Sequence, residues 1–187
     1  IKGVEYTTKI LENRNFTEAE TSKAFNYQQG DVVKFNKGYT SLGIKKDEYY
    51  KVDDTNHNKN KVFLGLKDQK IAWSPDKIAG ARKGVVEVYK QEARKFQIGE
   101  KIIFTRSSKE HGILNSEEAL VKNVTKDKIS LEFKNGKKIE FNKNDKVLKH
   151  IDYAYVITAH RAQGKTYNNV IGVIAVSYTH LTLPTIP

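Results

Sequence analysis

An internal repeat constrains this chain more than any other feature. Gly30-Asp-Val-Val-Lys-Phe35 opens one copy, and Gly99-Glu-Lys-Ile-Ile-Phe104 opens another 69 residues later. The offset holds through Gly43-Ile44 and Gly112-Ile113, Glu48 and Glu117, and Val52 and Val121. After a turn two residues shorter in the second copy, Lys61-Val-Phe-Leu-Gly-Leu-Lys67 aligns with Lys128-Ile-Ser-Leu-Glu-Phe-Lys134, and Lys70-Ile-Ala-Trp73 with Lys138-Ile-Glu-Phe141. Apolar residues alternate along these segments, and polar turn residues separate them at 54–60 and at Asn135-Gly136. Each copy is therefore expected to form about four short strands, with the Asn-Gly pair closing a hairpin.

A repeat of this length, with a Gly-Asp-x-Val opening, a long first loop and closely spaced later strands, fits a small SH3-like barrel. The fold expected is mainly β: two tandem SH3-like barrels, at 29–84 and 98–149, joined by a connecting strand at 85–97. Units this small bury little core, so each needs its neighbour or a larger domain for stability. Upstream, Gly3 to Leu11 reads as a strand, and Thr17-Glu-Ala-Glu20 has capping-box form and predicts a short helix. Ala19, Ala24 and Tyr27 would supply the helix's apolar face and Gln29-Gly30 its end. The plain alternative for the repeat is a pair of spacers.

A formal net charge of +11 and a pI near 9.6 point to a polyanionic partner. Residues 1–28 are neutral overall, whereas 29–95 carry +6 and 96–150 carry +4, so the surplus lies in the repeat. Interleaved there are Tyr39, Tyr49, Tyr50, Phe63, Trp73, Phe104, Phe133 and Phe141. That mixture suits single-stranded nucleic acid, held through its phosphates and by base stacking, although for each aromatic taken alone core packing is the better explanation. No cysteine occurs, which removes disulfides and thiolate metal sites and fits a cytoplasmic location. The five histidines are scattered singly, a poor pattern for a metal site. The longest apolar run, Val170 to Val176, is far short of the ~20 residues a membrane helix needs.

Tyr153 to Tyr167 packs Thr158, His160, Arg161, Gln163, Gly164, Lys165 and Thr166 between two apolar runs. This segment resembles motif V of superfamily 1 DNA helicases, Tyr-Ala-x-Thr-x-His-x-x-Gln-Gly, and most closely its form in the RecD-like TraI/TrwC conjugative relaxase-helicases. The matching residues are Tyr153, Ala154, Thr158, His160, Gln163 and Gly164, with the spacing displaced at the start. The Thr-Glu-Ala-Glu helix running into Asn26-Tyr27-x-x-Gly30-Asp31-Val32-Val33 also looks like the region ahead of that family's inserted barrels. The resemblance covers about residues 1–175 and implies a partial α/β RecA-like helicase domain interrupted by the barrels, with residues 1–28 leading out of it and 150–175 returning to it. It further implies that Thr158, His160 and Arg161 contact phosphates of single-stranded DNA, and that Gln163, Gly164, Lys165 and Thr166 face the nucleotide. Hydroxyl and N–H donors bind phosphate without reading sequence, and glycine allows close backbone approach. A stand-alone phosphate loop, Ala159 to Thr166, is disfavoured because Tyr-Asn-Asn-Val-Ile-Gly-Val-Ile follows it as a strand where a helix is required.

No complete phosphate loop, acidic Mg²⁺-binding strand or arginine-finger motif can be read in the chain, and phosphoryl transfer needs all three. By this reading ATP and Mg²⁺ are cofactors of a parent helicase, this chain binds neither alone, and it does not hydrolyse ATP alone. Its partners would be single-stranded DNA and the remainder of the helicase, with no membrane. The chain begins at Ile1 and contains no methionine, and Val176 to Pro187 resembles the translation of a sequencing-library transposon end. Native sequence is therefore expected to stop near Ala175, leaving a fragment. The competing reading is a non-enzymatic SH3-like module that binds nucleic acid or a Pro-rich peptide.

Overall fold

Alternating burial sorts the repeat into strands whose inward residues build two separate cores. In the computed structural model, residues 5–66, 69–78 and 84–154 are described. In chain order the strands are β1 (Tyr6–Asn13), β2 (Val32–Phe35), β3 (Tyr49–Asn56), β4 (Lys61–Leu66), β5 (Gln69–Trp73), β6 (Val86–Phe96), β7 (Lys101–Phe104), β8 (Glu118–Val124), β9 (Lys128–Phe133), β10 (Lys138–Asn142) and β11 (Ile151–Tyr153). Two four-residue helices, α1 (Glu18–Thr21) and α2 (Pro75–Ile78), and 3₁₀ turns at Ala24–Asn26, Thr40–Leu42 and Lys146–His150 complete the described elements.

The fold is mainly β and consists of two antiparallel sheets, ordered β1-β6-β2-β3-β4-β5 and β10-β9-β8-β7-β11. If β1 is set aside, both sheets have the same plan: the fifth strand of the copy pairs with its first, followed by the second, third and fourth. The equivalence extends to detail. Gly30 and Gly99 sit at φ +92° and +91°, and their N–H groups donate to Val52 O and Val121 O, each at 2.8 Å. The second strands carry a β-bulge at matched sites, between Val52 and Asp54 and between Val121 and Asn123. The long first loops are each pinched by a bridge, Tyr39 to Ile44 and Ser108 to Ile113.

Barrel closure, as expected from the sequence, is not found. Both sheets remain open among the described residues. In the first copy β1 occupies the edge of β6 through an eight-residue ladder from Tyr6↔Phe96 to Asn13↔Tyr89. In the second copy β11 is only three residues long. Residues 85–97 are accordingly more than a connector. The start of β6 is the fifth strand of the first copy, and the rest pairs with β1.

One core holds Val33, Phe35, Tyr50, Val52, Leu64 and Trp73, and the other Ile102, Phe104, Val121, Leu131, Phe133 and Phe141. The β1–β6 ladder also feeds the second core through Tyr6, Ile10 and Phe96. The predicted capping box is formed: Glu20 N–H donates to Thr17 Oγ1 at 3.3 Å and Thr17 N–H donates to Glu20 Oε2 at 2.8 Å. The helix it starts is shorter than expected, since Ser22 ends it. Gly30 is not its cap and serves the turn into β2. The RecA-like portion expected at 150–175 lies outside the described residues from 155 onward.

Candidate nucleic-acid interface

Thr158, His160, Arg161, Gln163, Gly164, Lys165 and Thr166 all lie outside the described residues. Among the described residues no group of three or more His, Cys, Asp or Glu could hold a metal ion, and no helix is long and apolar enough to cross a membrane.

Most of the aromatics that looked suited to stacking serve the cores. Tyr50, Trp73, Phe104, Phe133 and Phe141 are at most 3% exposed. Hydrophobic burial claims them because they hold inward strand positions. Tyr39, Tyr49 and Phe63 stay partly exposed.

The lysines differ in how closely acids pair with them. On the outer face of β8–β9–β10, Lys122 and Lys138 both pair with Glu132, at 3.1 and 3.5 Å, Lys128 pairs with Glu140 at 2.6 Å, and Lys134 pairs with Glu118 at 2.8 Å. On this face three glutamates offset four lysines. The long loop of the first copy instead exposes Lys37, Lys45 and Lys46 around the partly exposed Tyr39.

Where the copies meet, a polar cluster missed at the sequence level fills the junction. Arg106, in the second copy's long loop, donates to Glu87 Oε2 at 3.2 Å and to the Tyr89 hydroxyl at 3.1 Å, both on β6. Tyr89 in turn donates to Glu87. Tyr49 Oη lies 2.7 Å from His150 Nε2, and Lys34, only 2% exposed, pairs with Asp47 at 2.7 Å. Beside these groups is a cleft of about 290 Å³, with Ser108, His111 and Lys146 on the second copy's side.

Electrostatics fix the charge states in this cluster. Burial works against the Glu87 carboxylate, but hydrogen bonds from Tyr89 and Asn36, with the Arg106 charge, outweigh it and hold its pKa below the ordinary value. Burial raises the Tyr89 hydroxyl, and the bond to Glu87 raises it further. Burial, reinforced by the Arg106 charge, pushes His150 down to about 4, so the imidazole is neutral near pH 7 and its free nitrogen can accept from Tyr49. Cations and anions balance around Glu87, and at the cleft's second-copy side Ser108 Oγ lies 3.0 Å from His111 Nδ1 while His111 Nε2 lies 3.5 Å from Asp145 Oδ2. Through Arg106, which reaches from the second copy to Glu87 and Tyr89, the cluster clamps the two copies together.

Its members come from four distant stretches, Lys34, Glu87, Arg106 and His150. The one signal available in sequence was that Lys34 falls where the repeat has Ile103. No protein-family model and no curated protein matches this chain.

Proposed function

We propose that the chain is part of an ATP-dependent DNA helicase of the conjugative relaxase type, in which residues 29–154 are a tandem pair of SH3-like units acting as an accessory surface for single-stranded DNA. The observation that carries the reading is the concentration of positive charge in the duplicated β region. Residues 29–95 and 96–150 have net charges of +6 and +4 beside a neutral N-terminal stretch. The shared strand order of the two sheets supports the SH3-like assignment, and the likeness to motif V supports the helicase assignment. In this reading Thr158, His160 and Arg161 hold DNA phosphates, while Gln163, Gly164, Lys165 and Thr166 meet the nucleotide. ATP bound with Mg²⁺ supplies the phosphoryl transfer that drives translocation, and the other residues needed for it belong to the rest of the helicase.

The test is fluorescence anisotropy of a labelled oligothymidylate with the whole chain, across a salt series. Lysine contacts to three or four phosphates give a log–log salt slope of about −2 to −3, at roughly 0.7 per phosphate of a single strand. ATP hydrolysis by the chain alone should stay at background. Absence of DNA binding, together with salt-insensitive capture of a Pro-rich peptide, would replace this reading with the peptide-binding module.

A further inference from the structure

We propose that the long first loop of the first copy, residues 37–46, is the single-stranded DNA contact of the described β region, and that the equivalent loop of the second copy has given up that role to clamp the copies together. The inference deepens the helicase reading and rests on it.

The loop is a small, braced hairpin. Tyr39 N–H donates to Ile44 O at 2.7 Å and Ile44 N–H returns to Tyr39 O at 3.0 Å. Gly38 lies against the other arm, where an added Cβ would meet the Lys46 backbone nitrogen at 3.4 Å. The bridge thus sets the arm bearing Lys37 and Tyr39 beside the arm bearing Lys45 and Lys46. All three lysines are exposed. Lys37 Nζ stands 5.9 Å from the centre of the Tyr39 ring, whose inner side is anchored edge-on by Phe35 at 6.3 Å.

Few acids oppose these cations. Asp47 is drawn to the buried Lys34 at 2.7 Å and reaches Lys46 only at 4.0 Å, leaving Glu48 as the other acid in the segment. Three exposed ammonium groups around a ring held from behind offer phosphate contacts and one stacking surface, the combination a single strand requires. A duplex would keep its bases from the ring.

The equivalent loop of the second copy differs at each of these positions. At the same offset of 69, Tyr39 becomes Ser108, Lys45 becomes Leu114 and Lys46 becomes Asn115. Lys37 becomes Arg106, which is turned inward to Glu87 and Tyr89. Each feature that suits the first loop to DNA is lost or engaged in the second, although the two loops share the same backbone bridge.

The experiment compares two charge-matched triple variants of the whole chain in the oligothymidylate anisotropy assay. One carries Lys37→Ala, Lys45→Ala and Lys46→Ala; the other carries Lys122→Ala, Lys128→Ala and Lys138→Ala on the self-paired face. All six lysines are exposed, so both variants should fold. The loop variant should bind at least about tenfold more weakly, with a salt slope shallower by about 2, and the face variant should stay within about threefold of the parent. Equal losses in both would mean that only total charge matters and would overturn the proposal. Parent-like binding by the loop variant would overturn it too, while leaving the proposed function standing. Failure of the parent itself to bind would instead remove the proposed function, and this inference with it.

Discussion

Replacing His150 by glutamine should abolish a specific acid sensitivity of the fold. His150 is 6% exposed at the junction of the two copies, and burial, aided by Arg106, lowers its pKa from 6.5 to about 4. Lys149 and Lys34 push the same way and Glu87 opposes them. Between those values the unfolded chain binds a proton that the fold refuses, so stability rises with pH across the window and levels off above it. With about 1.4 kcal/mol per pK unit, the loss on acidification to pH 4 is about 3 kcal/mol. The glutamine amide would keep a polar partner for Tyr49 without titrating. Urea titrations followed by Trp73, the sole tryptophan and a member of the first core, would give stability at each pH from about 4 to 8. Carboxylates held below their ordinary range, such as Glu87 and Asp47, destabilise both proteins at the acid end. The difference between parent and variant therefore isolates the imidazole, and should shift by about 3 kcal/mol from pH 7 to pH 4. Parallel curves would refute the reasoning.

Two further outcomes follow from the junction and the repeat. In a double-mutant cycle, Arg106→Ala and Glu87→Gln should be coupled by about 1–2 kcal/mol in urea unfolding, because either change strands a half-buried partner; strict additivity would show that the clamp contributes nothing. Gly30→Ala and Gly99→Ala should each cost about 1–2 kcal/mol in thermal or urea unfolding. Open space surrounds both positions, so backbone strain at φ near +90° is the whole effect, and the two costs should match.

The repeat made the first four strands of each copy legible, because inward residues such as Val33, Val52 and Leu64 recur at Ile102, Val121 and Leu131. The fifth strands escaped this comparison. Val86-Glu-Val-Tyr89 and Ile151-Asp-Tyr153 share little sequence, and the segments leading to them differ in length, so the first looked like a connector and the second like the start of another domain. Alternation within β2 places Lys34 opposite the core, yet it is buried. The second copy packs over that side, and Asp47 and Asn36 meet the ammonium there. The clamp was illegible for the same reason: it depends on which outer faces touch, information that periodicity within one strand does not hold.

The β1–β6 ladder also sets an order on assembly. Its two strands flank β2 to β5 in sequence, so pairing Tyr6 with Phe96 and Asn13 with Tyr89 closes a long loop, and the entropy cost of that closure falls once the intervening strands have drawn its ends together. The strand at the N-terminal end is in this sense a latch. It closes over a finished first copy and, through Tyr6 and Ile10, carries that completion into the core of the second.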